Sequence, residues 1–370
     1  MKFVNTLEFH KNNPGISVET YIKRKRVELS QQIRTSKKIY LDLKFWILFR
    51  DTRTKRYIDH KCADLLNKIE TLVRQGKAIC PISSDIFWEI QKQANTDTLK
   101  STIDLVDDIS KGITIISLPE RFNLEFSSFV KTKFGHSIYS LDELVWTKIP
   151  YMMGFANPVS NDIPPELMCA MQKAFIDQIW DISLKDLFGP MVEILNPPRF
   201  VDLSKTLNIK KNEHLNDHKS FKELFLTELA GILDEYKNRS EKFITHLFEI
   251  MMNQKFPDEE IWIKFFSQSV MNIVYHSFRL NRIKRELPSF HVMAKLHAAT
   301  RWDKKRILRP NDIYDIHHAI DAIPYFDYFL TEHSLKEVIN NKNLGFKMFC
   351  CKAISDVDTA INELSLIDSK

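Results

Sequence analysis

The segment RPNDIYDIHHAIDAIPYFDYFLTE, residues 309–332, places acids and histidines beside residues that are typical of a protein core. Asn311 or Asp312 is expected to cap a helix at its beginning, and the apolar run DYFLT (327–331) predicts a buried strand that ends at Glu332. The polar residues could form the exposed face of that helix, or they could be carboxylates that converge on a metal ion. The rest of the sequence has to decide between these two interpretations.

The composition limits the class of protein. The chain has 370 residues, of which 44% are hydrophobic and 27% are charged, so it can form two domains or one domain with a large insertion. Only 8 residues are glycine, and neither GxGxxG nor GxxxxGK[ST] occurs, which disfavours dinucleotide-binding and Walker-type folds.

The cysteines form no CxxC pair and are odd in number, so no disulfide framework is predicted. They are Cys62, Cys80, Cys169, Cys350 and Cys351. The sequence shows neither a signal peptide nor an uninterrupted apolar stretch of about 18 residues. We therefore expect reduced thiols, a cytoplasmic location and no membrane span.

Short apolar runs alternate with helical patterns at the two ends of the chain, which is typical of a parallel α/β sheet buried on both faces. The five predicted strands are KKIYLD (37–42), AICPIS (78–83), ITIISL (113–118), DYFLT (327–331) and FKMFCC (346–351). Helices are predicted between them at about 58–74, 98–111 and 335–339.

The segment from Pro119 to Leu308 has mostly helical periodicity and no persuasive strand, so it is predicted to be an all-α insertion. Its expected helices cover residues 166–186, 221–236, 241–252 and 259–283. The predicted organisation is a basic helical extension (1–36), an α/β domain in two halves (37–118 and 309–352), the insertion (119–308) and a C-terminal helix or tail (353–370). The insertion is expected to form a lid or clamp over the site.

Four acids occupy positions from which they can reach one edge of the predicted sheet. Asp42 ends the first strand, Glu89 lies in the second turn of a helix, Asp315 opens another helix, and Glu332 follows the fourth strand. In an open parallel sheet, ligands bind at the carboxyl ends of the strands where the strand order reverses. Clustered carboxylates repel one another unless a cation neutralises them, and oxygen ligands suit Mg²⁺ or Mn²⁺. Each acid alone would more often be inert.

Three motifs give this order of acids: IYLDLKFWI (39–47), PISSDIFWEI (81–90) and NDIYDIHHAIDAIPYFDYFLTE (311–332). They resemble those of the PIN-domain nucleases, and in particular a bacterial-type subgroup with a long helical insertion. The resemblance covers residues 37–118 and 309–352. It implies a doubly wound, five-stranded parallel sheet with helices on both faces, interrupted by a large all-α insertion.

The resemblance also implies metal-dependent hydrolysis of phosphodiester bonds, most often in RNA. Asp42 and Asp315 are then direct ligands, Glu89 binds the ion or orients a water molecule beside it, and Glu332 belongs to a second, weaker metal site. Two positions depart from the family pattern. Lys44 stands where an Asn is common, and Glu332 stands where the last acid is usually Asp.

Asp312 and His318 each lie one turn from Asp315 on the same helix face. Asp312 is either the N-cap or a helper of the site, and His318 could orient a carboxylate or meet the scissile phosphate as a cation. His317, Asp321 and Asp327 are expected to be structural, as are the aromatic residues of the insertion.

Basic residues cluster in two segments although the net charge is only +5. Residues 23–38 hold seven Lys and Arg, and residues 279–309 hold ten. Such clusters bind a polyanion or form a solvated helix face. The candidate phosphate-binding residues are Lys44, Arg301, Lys304, Lys305, Arg306 and Arg309.

The first hypothesis is an endoribonuclease, which family habit would place in a toxin-like or defence setting. The alternatives are a nuclease of DNA flaps or single strands, and a nucleic-acid-binding or regulatory protein with a weakened site. An inhibitory partner protein or a homo-oligomer is left open.

Overall fold

The computed structural model describes residues 5–136, 139–154, 157–191, 201–214, 216–257, 259–283 and 285–368. Its strands are β1 (Lys37–Leu41), β2 (Ala78–Ile79), β3 (Ile113–Ile115), β4 (Trp146–Lys148), β5 (Tyr328–Leu330) and β6 (Lys352–Ile354). Strands β2, β1, β5 and β6 form, in that order, a parallel four-stranded sheet. The chain leaves β1 toward β2 on one side and returns as β5 on the other, so the strand order reverses between β1 and β5.

Strand β1 lies inside this sheet, between β2 and β5. Three of its successive residues, Ile39, Tyr40 and Leu41, are each at most 1% exposed. Neighbouring residues of a strand point to opposite faces, so both faces of the sheet are covered. Strand β5 is paired in register with β1, and Leu41 lies opposite Leu330. The residues that follow these two strands therefore meet at one edge.

The predicted five-stranded sheet is wrong in its third and fifth strands. Strand β3 pairs antiparallel with β4 in a separate two-stranded sheet. A single parallel bridge between Ile82 and Thr114 links β3 to the segment that follows β2. Strand β4 also lies inside the segment that was predicted to be entirely helical. The predicted strand 346–351 contains a 3-10 helix (Phe346–Phe349), and the edge strand β6 begins only at Lys352.

The helices that precede the insertion are α1 (Leu7–Lys11), α2 (Val18–Gln32), α3 (Leu43–Arg53), α4 (His60–Arg74), α5 (Ser84–Gln91) and α6 (Thr96–Ser110). Five of them begin at a side-chain cap, which satisfies a backbone N–H that would otherwise have no partner; the cap of α2 is Ser17, whose hydroxyl accepts from the N–H of Thr20. The other caps are Asp42 for α3, Asp59 for α4, Ser83 for α5 and Asn95 for α6.

The later helices are α7 (Leu118–Lys133), α8 (Leu141–Leu144), α9 (Pro165–Ile179), α10 (Leu184–Met191), α11 (Val201–Glu213), α12 (Phe221–Met252), α13 (Glu260–Arg279), α14 (Pro288–Trp302), α15 (Pro310–Tyr325), α16 (His333–Ile339) and α17 (Val357–Asp368). Two predicted helix boundaries are wrong. Helix α12 continues through the gap predicted at residues 237–240, and the predicted helix 166–186 is divided into α9 and α10.

The N-terminal extension uses part of its positive charge internally. Asp177 of α9 accepts hydrogen bonds from Thr6 at 2.8 Å and from the ring of His10 at 2.9 Å, and it pairs with Lys25 at 3.1 Å. Arg26 pairs with Glu120 of α7 at 2.6 Å. These contacts dock α1 and α2 on the rest of the protein and leave fewer charges of α2 available to a partner.

Two hydrophobic cores support the fold. The first surrounds the parallel sheet, and the second lies between α7, α12, α13 and α14, where Phe122 stacks on Phe290 with ring centroids 4.0 Å apart. Several aromatic residues of the insertion belong to this second core, as predicted, but Trp262 and Phe265 are 52% and 66% exposed. Within the described ranges, no helix is both long and apolar enough to span a lipid bilayer.

Candidate active site

The four predicted acids surround one cavity of about 370 Å³ at the carboxyl ends of β1 and β5. This is the position at which the strand order of the sheet reverses. The residues that line the cavity are Asp42, Leu43, Lys44, Ile47, Glu89, Asn311, Asp315, His318 and Glu332. The structure thus brings together acids that are up to 290 positions apart in the sequence.

Asp42 forms hydrogen bonds to backbone groups through both its own N–H and its carboxylate. Its N–H donates to the carbonyl of Leu330 at 3.1 Å, and its carboxylate accepts from the N–H of Phe45 at 3.3 Å as the cap of α3. The residue is 5% exposed. Burial raises the pKa of Asp42 to about 6; the negative charge of Glu332 acts in the same direction, and the cationic His318 opposes both. Asp42 thus carries out the capping role and also faces the cavity.

Asp315 lies in the second turn of α15 and is partly buried. Burial raises the pKa of Asp315 to about 7, and the charges of Asp42 and Glu332 contribute in the same direction. Glu332 is exposed at the beginning of α16, and its side chain does not cap that helix. The three carboxyl groups are therefore close enough to repel one another, and a cation among them would relieve this repulsion.

Glu89 forms an ion pair with His318. Its Oε2 lies 2.7 Å from Nε2 of His318, and the other ring nitrogen, Nδ1, lies 2.8 Å from the hydroxyl of Tyr40. Burial alone would lower the pKa of His318, but the hydrogen bond and charge of Glu89 outweigh it and raise the pKa to about 9. His318 is therefore an imidazolium at neutral pH, and it neutralises one of the four acids.

The donor set fits Mg²⁺ or Mn²⁺ in its chemistry, because carboxylate oxygens are the ligands that these ions prefer. In the described part of the chain, however, no group of three or more His, Cys, Asp or Glu side chains is arranged to hold a metal ion. The observed rotamers satisfy the acids with protein partners, Phe45 for Asp42 and His318 for Glu89.

Four other polar residues of the opening segment lie outside the cavity. Asp312 accepts from the N–H of Arg309 at 2.7 Å and pairs with Arg306 at 3.1 Å, so it stabilises the beginning of α15 from its first turn and is not the N-cap itself. Asp327 accepts from the N–H of Lys38 at 2.9 Å at the opposite end of β5.

The other two residues take part in buried contacts behind the cavity. His317 contacts Asp85 at 3.1 Å between its Nδ1 and a carboxylate oxygen. Asp321, which is 2% exposed, forms an ion pair with Arg121. Both residues were expected to be structural, and their contacts hold α15 against α5 and α7.

Of the candidate phosphate-binding residues, Lys44 alone lies among the described residues that line the cavity. Arg301 instead forms an ion pair with Glu228 of α12, and the ammonium group of Lys304 donates to Asn216 at 2.8 Å. Lys305 and Arg309 are exposed near the beginning of α15 but outside the cavity. The basic run 301–309 is thus used largely to connect helices.

Comparisons with known proteins give no further guide to the family: no family model, no curated protein and no solved structure matches the chain. The resemblance to PIN-domain nucleases therefore rests on the three sequence motifs.

Two buried residues behind the site were not predicted to take part, Tyr40 and Arg121. Tyr40 is fully buried in β1, where its hydroxyl meets His318, and Arg121 is fully buried in α7, where it meets Asp321. The available signals were a hydroxyl two positions before a strand-end acid and an arginine between Glu120 and Phe122. Neither feature of the sequence shows which residue Tyr40 or Arg121 contacts.

Proposed function

We propose that this protein is a metal-dependent nuclease of the PIN-like type that hydrolyses phosphodiester bonds, with RNA as its favoured substrate. The observation that carries the proposal is the convergence of Asp42, Glu89, Asp315 and Glu332 on one cavity where the strand order reverses. Four carboxyl groups at the ligand-binding edge of a parallel sheet suit a cation and a polyanionic substrate better than an apolar ligand.

Asp42 and Asp315 would hold the ion directly, because they face the cavity from the two central elements, β1 and α15. Glu332 is the exposed acid, and it would complete a second and weaker site. When Mg²⁺ or Mn²⁺ is bound, it supplies a Lewis acid for the phosphate and lowers the pKa of attacking water. The raised pKa values of Asp42 and Asp315 mean that both acids lose protons when an ion binds.

His318 and Lys44 supply positive charge at the same cavity. His318 holds Glu89 at 2.7 Å and keeps its carboxylate turned toward the cavity wall. Lys44 is exposed, and its ammonium group can contact a phosphate of the substrate backbone without reading the base. A substrate that is drawn in by these charges would lie with its phosphate beside Asp42 and Asp315.

A nucleic-acid-binding protein with a weakened catalytic site is the second candidate. One observation favours it: Glu89 is already neutralised by His318, so one acid of the set is occupied by a protein partner. In that case Lys44 and the cavity would bind a nucleic acid without cleaving it.

The test is cleavage of labelled single-stranded RNA, double-stranded RNA, single-stranded DNA and flap DNA, each in Mg²⁺, Mn²⁺ or EDTA. The variants are Asp42→Asn and Asp315→Asn, and Asp327→Asn is the control because its carboxylate lies at the other end of β5. We expect cleavage of RNA that requires a divalent ion, is lost by about 100-fold or more in the first two variants and is retained in the control.

Cleavage that survives in both Asp42→Asn and Asp315→Asn would refute the assignment of the site. Absence of cleavage together with ion-independent binding of RNA or DNA would support the second candidate. Preferential cleavage of a DNA flap would retain the catalytic site and change the substrate class.

A further inference from the structure

A chain of buried polar contacts leads from the acid cavity into the helical insertion. It runs from Glu89 to His318 at 2.7 Å, from His318 to Tyr40 at 2.8 Å, and from Tyr40 to Asp321 at 3.5 Å. Asp321 then forms its ion pair with Arg121 of α7. His318, Tyr40, Asp321 and Arg121 are each at most 2% exposed. Polar groups at this depth require an explanation, because burying them costs free energy.

Stability alone does not explain this chain. A buried ion pair is often no more stable than apolar residues of similar volume, because the desolvation of both charges opposes their attraction. The guanidinium of Arg121 illustrates the cost, since its Nε and Nη1 have no hydrogen-bond partner among the described residues. A chain that is incompletely satisfied yet continuous to the site is better explained by what it holds in place.

Tyr40 is fixed by its surroundings before it contacts His318. Its ring packs edge-to-face against Phe326 at 5.0 Å and Phe329 at 5.2 Å, and its hydroxyl also lies 2.8 Å from the hydroxyl of Ser83. A tyrosine held in this way presents its oxygen at one point. With Nδ1 bound at that point, the imidazole of His318 has its Nε2 directed at Glu89.

Arg121 brings the insertion into the same arrangement. It lies in the first turn of α7, and the next residue, Phe122, stacks on Phe290 of α14 in the second core. The position of Arg121 is therefore set by the packing of the insertion and not by the parallel sheet. Because Arg121 pairs with Asp321, the packing of the insertion also constrains α15, the helix that carries Asp315 and His318.

We propose that Tyr40, Asp321 and Arg121 are positioning residues that hold the Glu89 carboxylate at the acid cavity through His318, so that the helical insertion helps to set the geometry of the site. The inference rests on the proposed function for its catalytic consequence. Its structural part, the link from Tyr40 to Glu89 through His318, can be measured without any activity.

The kinetic test compares Tyr40→Phe with Tyr325→Phe. Tyr325 is the matched control, because its hydroxyl donates to the buried Glu125 of α7 at 2.7 Å and has no contact with His318. Each variant removes one buried hydroxyl, so both should lower Tm. We expect Tyr40→Phe to lower kcat about tenfold with KM little changed, and Tyr325→Phe to leave both unchanged well below its Tm.

Arg121 gives a second comparison. Arg121→Met should lower kcat as Tyr40→Phe does, and Arg121→Lys, which keeps a cation beside Asp321, should recover part of the loss. Equal kcat values for Tyr40→Phe and Tyr325→Phe would overturn the proposal, as would an Arg121→Lys variant no better than Arg121→Met when both are folded.

A double-mutant cycle measured by Tm tests this proposal separately from the nuclease proposal. Tyr40 and Glu89 share His318, so the fall in Tm of the double variant Tyr40→Phe, Glu89→Gln should be smaller than the sum of the two single falls. If the wild-type protein cleaves no substrate, the nuclease proposal fails and the cycle still decides. A non-additive result supports the link, and an additive result overturns it.

Discussion

The burial of Asp315, together with its repulsion by the neighbouring acids, predicts that a conservative loss of charge at this residue stabilises the metal-free protein. Burial and the neighbouring acids raise the pKa of Asp315 from 3.8 to about 7. Between these two values, the folded protein binds a proton that the unfolded chain has lost, so the wild-type stability falls as the pH rises through this window. Asp315→Asn removes the ionisation and keeps the shape of the side chain.

The rise spans about three pH units, and each unit corresponds to about 1.4 kcal/mol, which gives an upper limit of about 4 kcal/mol above pH 7. The carboxyl group is only partly buried, and solvent screens a share of the repulsion. We therefore expect Asp315→Asn to raise the free energy of unfolding by about 1–2 kcal/mol at pH 8, or Tm by a few degrees. The gain should shrink as the pH is lowered toward 5.

The assay is thermal unfolding in EDTA at pH 5, 6.5 and 8. Asp312→Asn is the matched control, because that carboxylate lies in the same helix but accepts from Arg306 and from the N–H of Arg309. The control should lose stability at pH 8. The reasoning is refuted if Asp315→Asn lowers Tm at pH 8, or if its effect is the same at all three pH values.

Three further predictions follow from the site and the cores. Mn²⁺ should raise the Tm of the wild type but not that of Asp42→Asn, as measured by scanning fluorimetry in a Mn²⁺ titration. The rise should be larger at pH 8 than at pH 6, because Asp42 and Asp315, with pKa values of about 6 and 7, must lose their protons to bind the ion. Arg121→Met should lower the free energy of unfolding in urea by about 3–5 kcal/mol, because its buried acidic partner loses the opposite charge. Phe290→Ala, at a fully buried position, should cost about 3–5 kcal/mol in the same urea experiment, whereas Phe265→Ala, at a residue 66% exposed, should cost under about 0.5 kcal/mol.

The edge of the sheet that carries the acids could be predicted from the sequence. Strands β1 and β5 are short, each ends in three apolar residues, and they are followed by Asp42 and by Thr331 and Glu332. Because parallel strands end at the same edge, the position of these acids depends on few assumptions about the rest of the fold. The same reasoning placed Glu89 and Asp315, since each follows a recognisable helix start.

The third and fifth strands could not be predicted correctly, for physical reasons. Ile113–Ile115 is apolar enough for a central parallel strand, and its antiparallel partner, Trp146–Lys148, has only three residues and thus shows no periodicity. Residues 346–351 are also apolar, but Gly345 and Cys350 adopt a left-handed backbone with φ of 69° and 63°, which interrupts an extended run. An apolar run alone does not distinguish a buried strand from a short helical segment.

The contacts of His318 could not be predicted, because they join residues that are far apart along the chain. Tyr40 and Glu89 precede His318 by more than 220 positions, and one sequence carries no information about which pairs meet. The expectation that His318 orients a carboxylate was one of two alternatives, and the contact with Glu89 is in agreement with it. The role of Arg121 depends on packing between two cores, which no local pattern encodes.

The pairing of β1 with β5 has a consequence for the synthesis of the protein. The two strands are more than 280 residues apart, and at roughly 5–20 residues per second the ribosome needs about 15–60 s to make the intervening chain. Until Glu332 has emerged, the nascent chain holds Asp42 and Glu89 without their partners from α15 and β5. Whatever these acids do together, a chain that stops before Glu332 lacks the complete set, so the site forms only after synthesis has passed this residue.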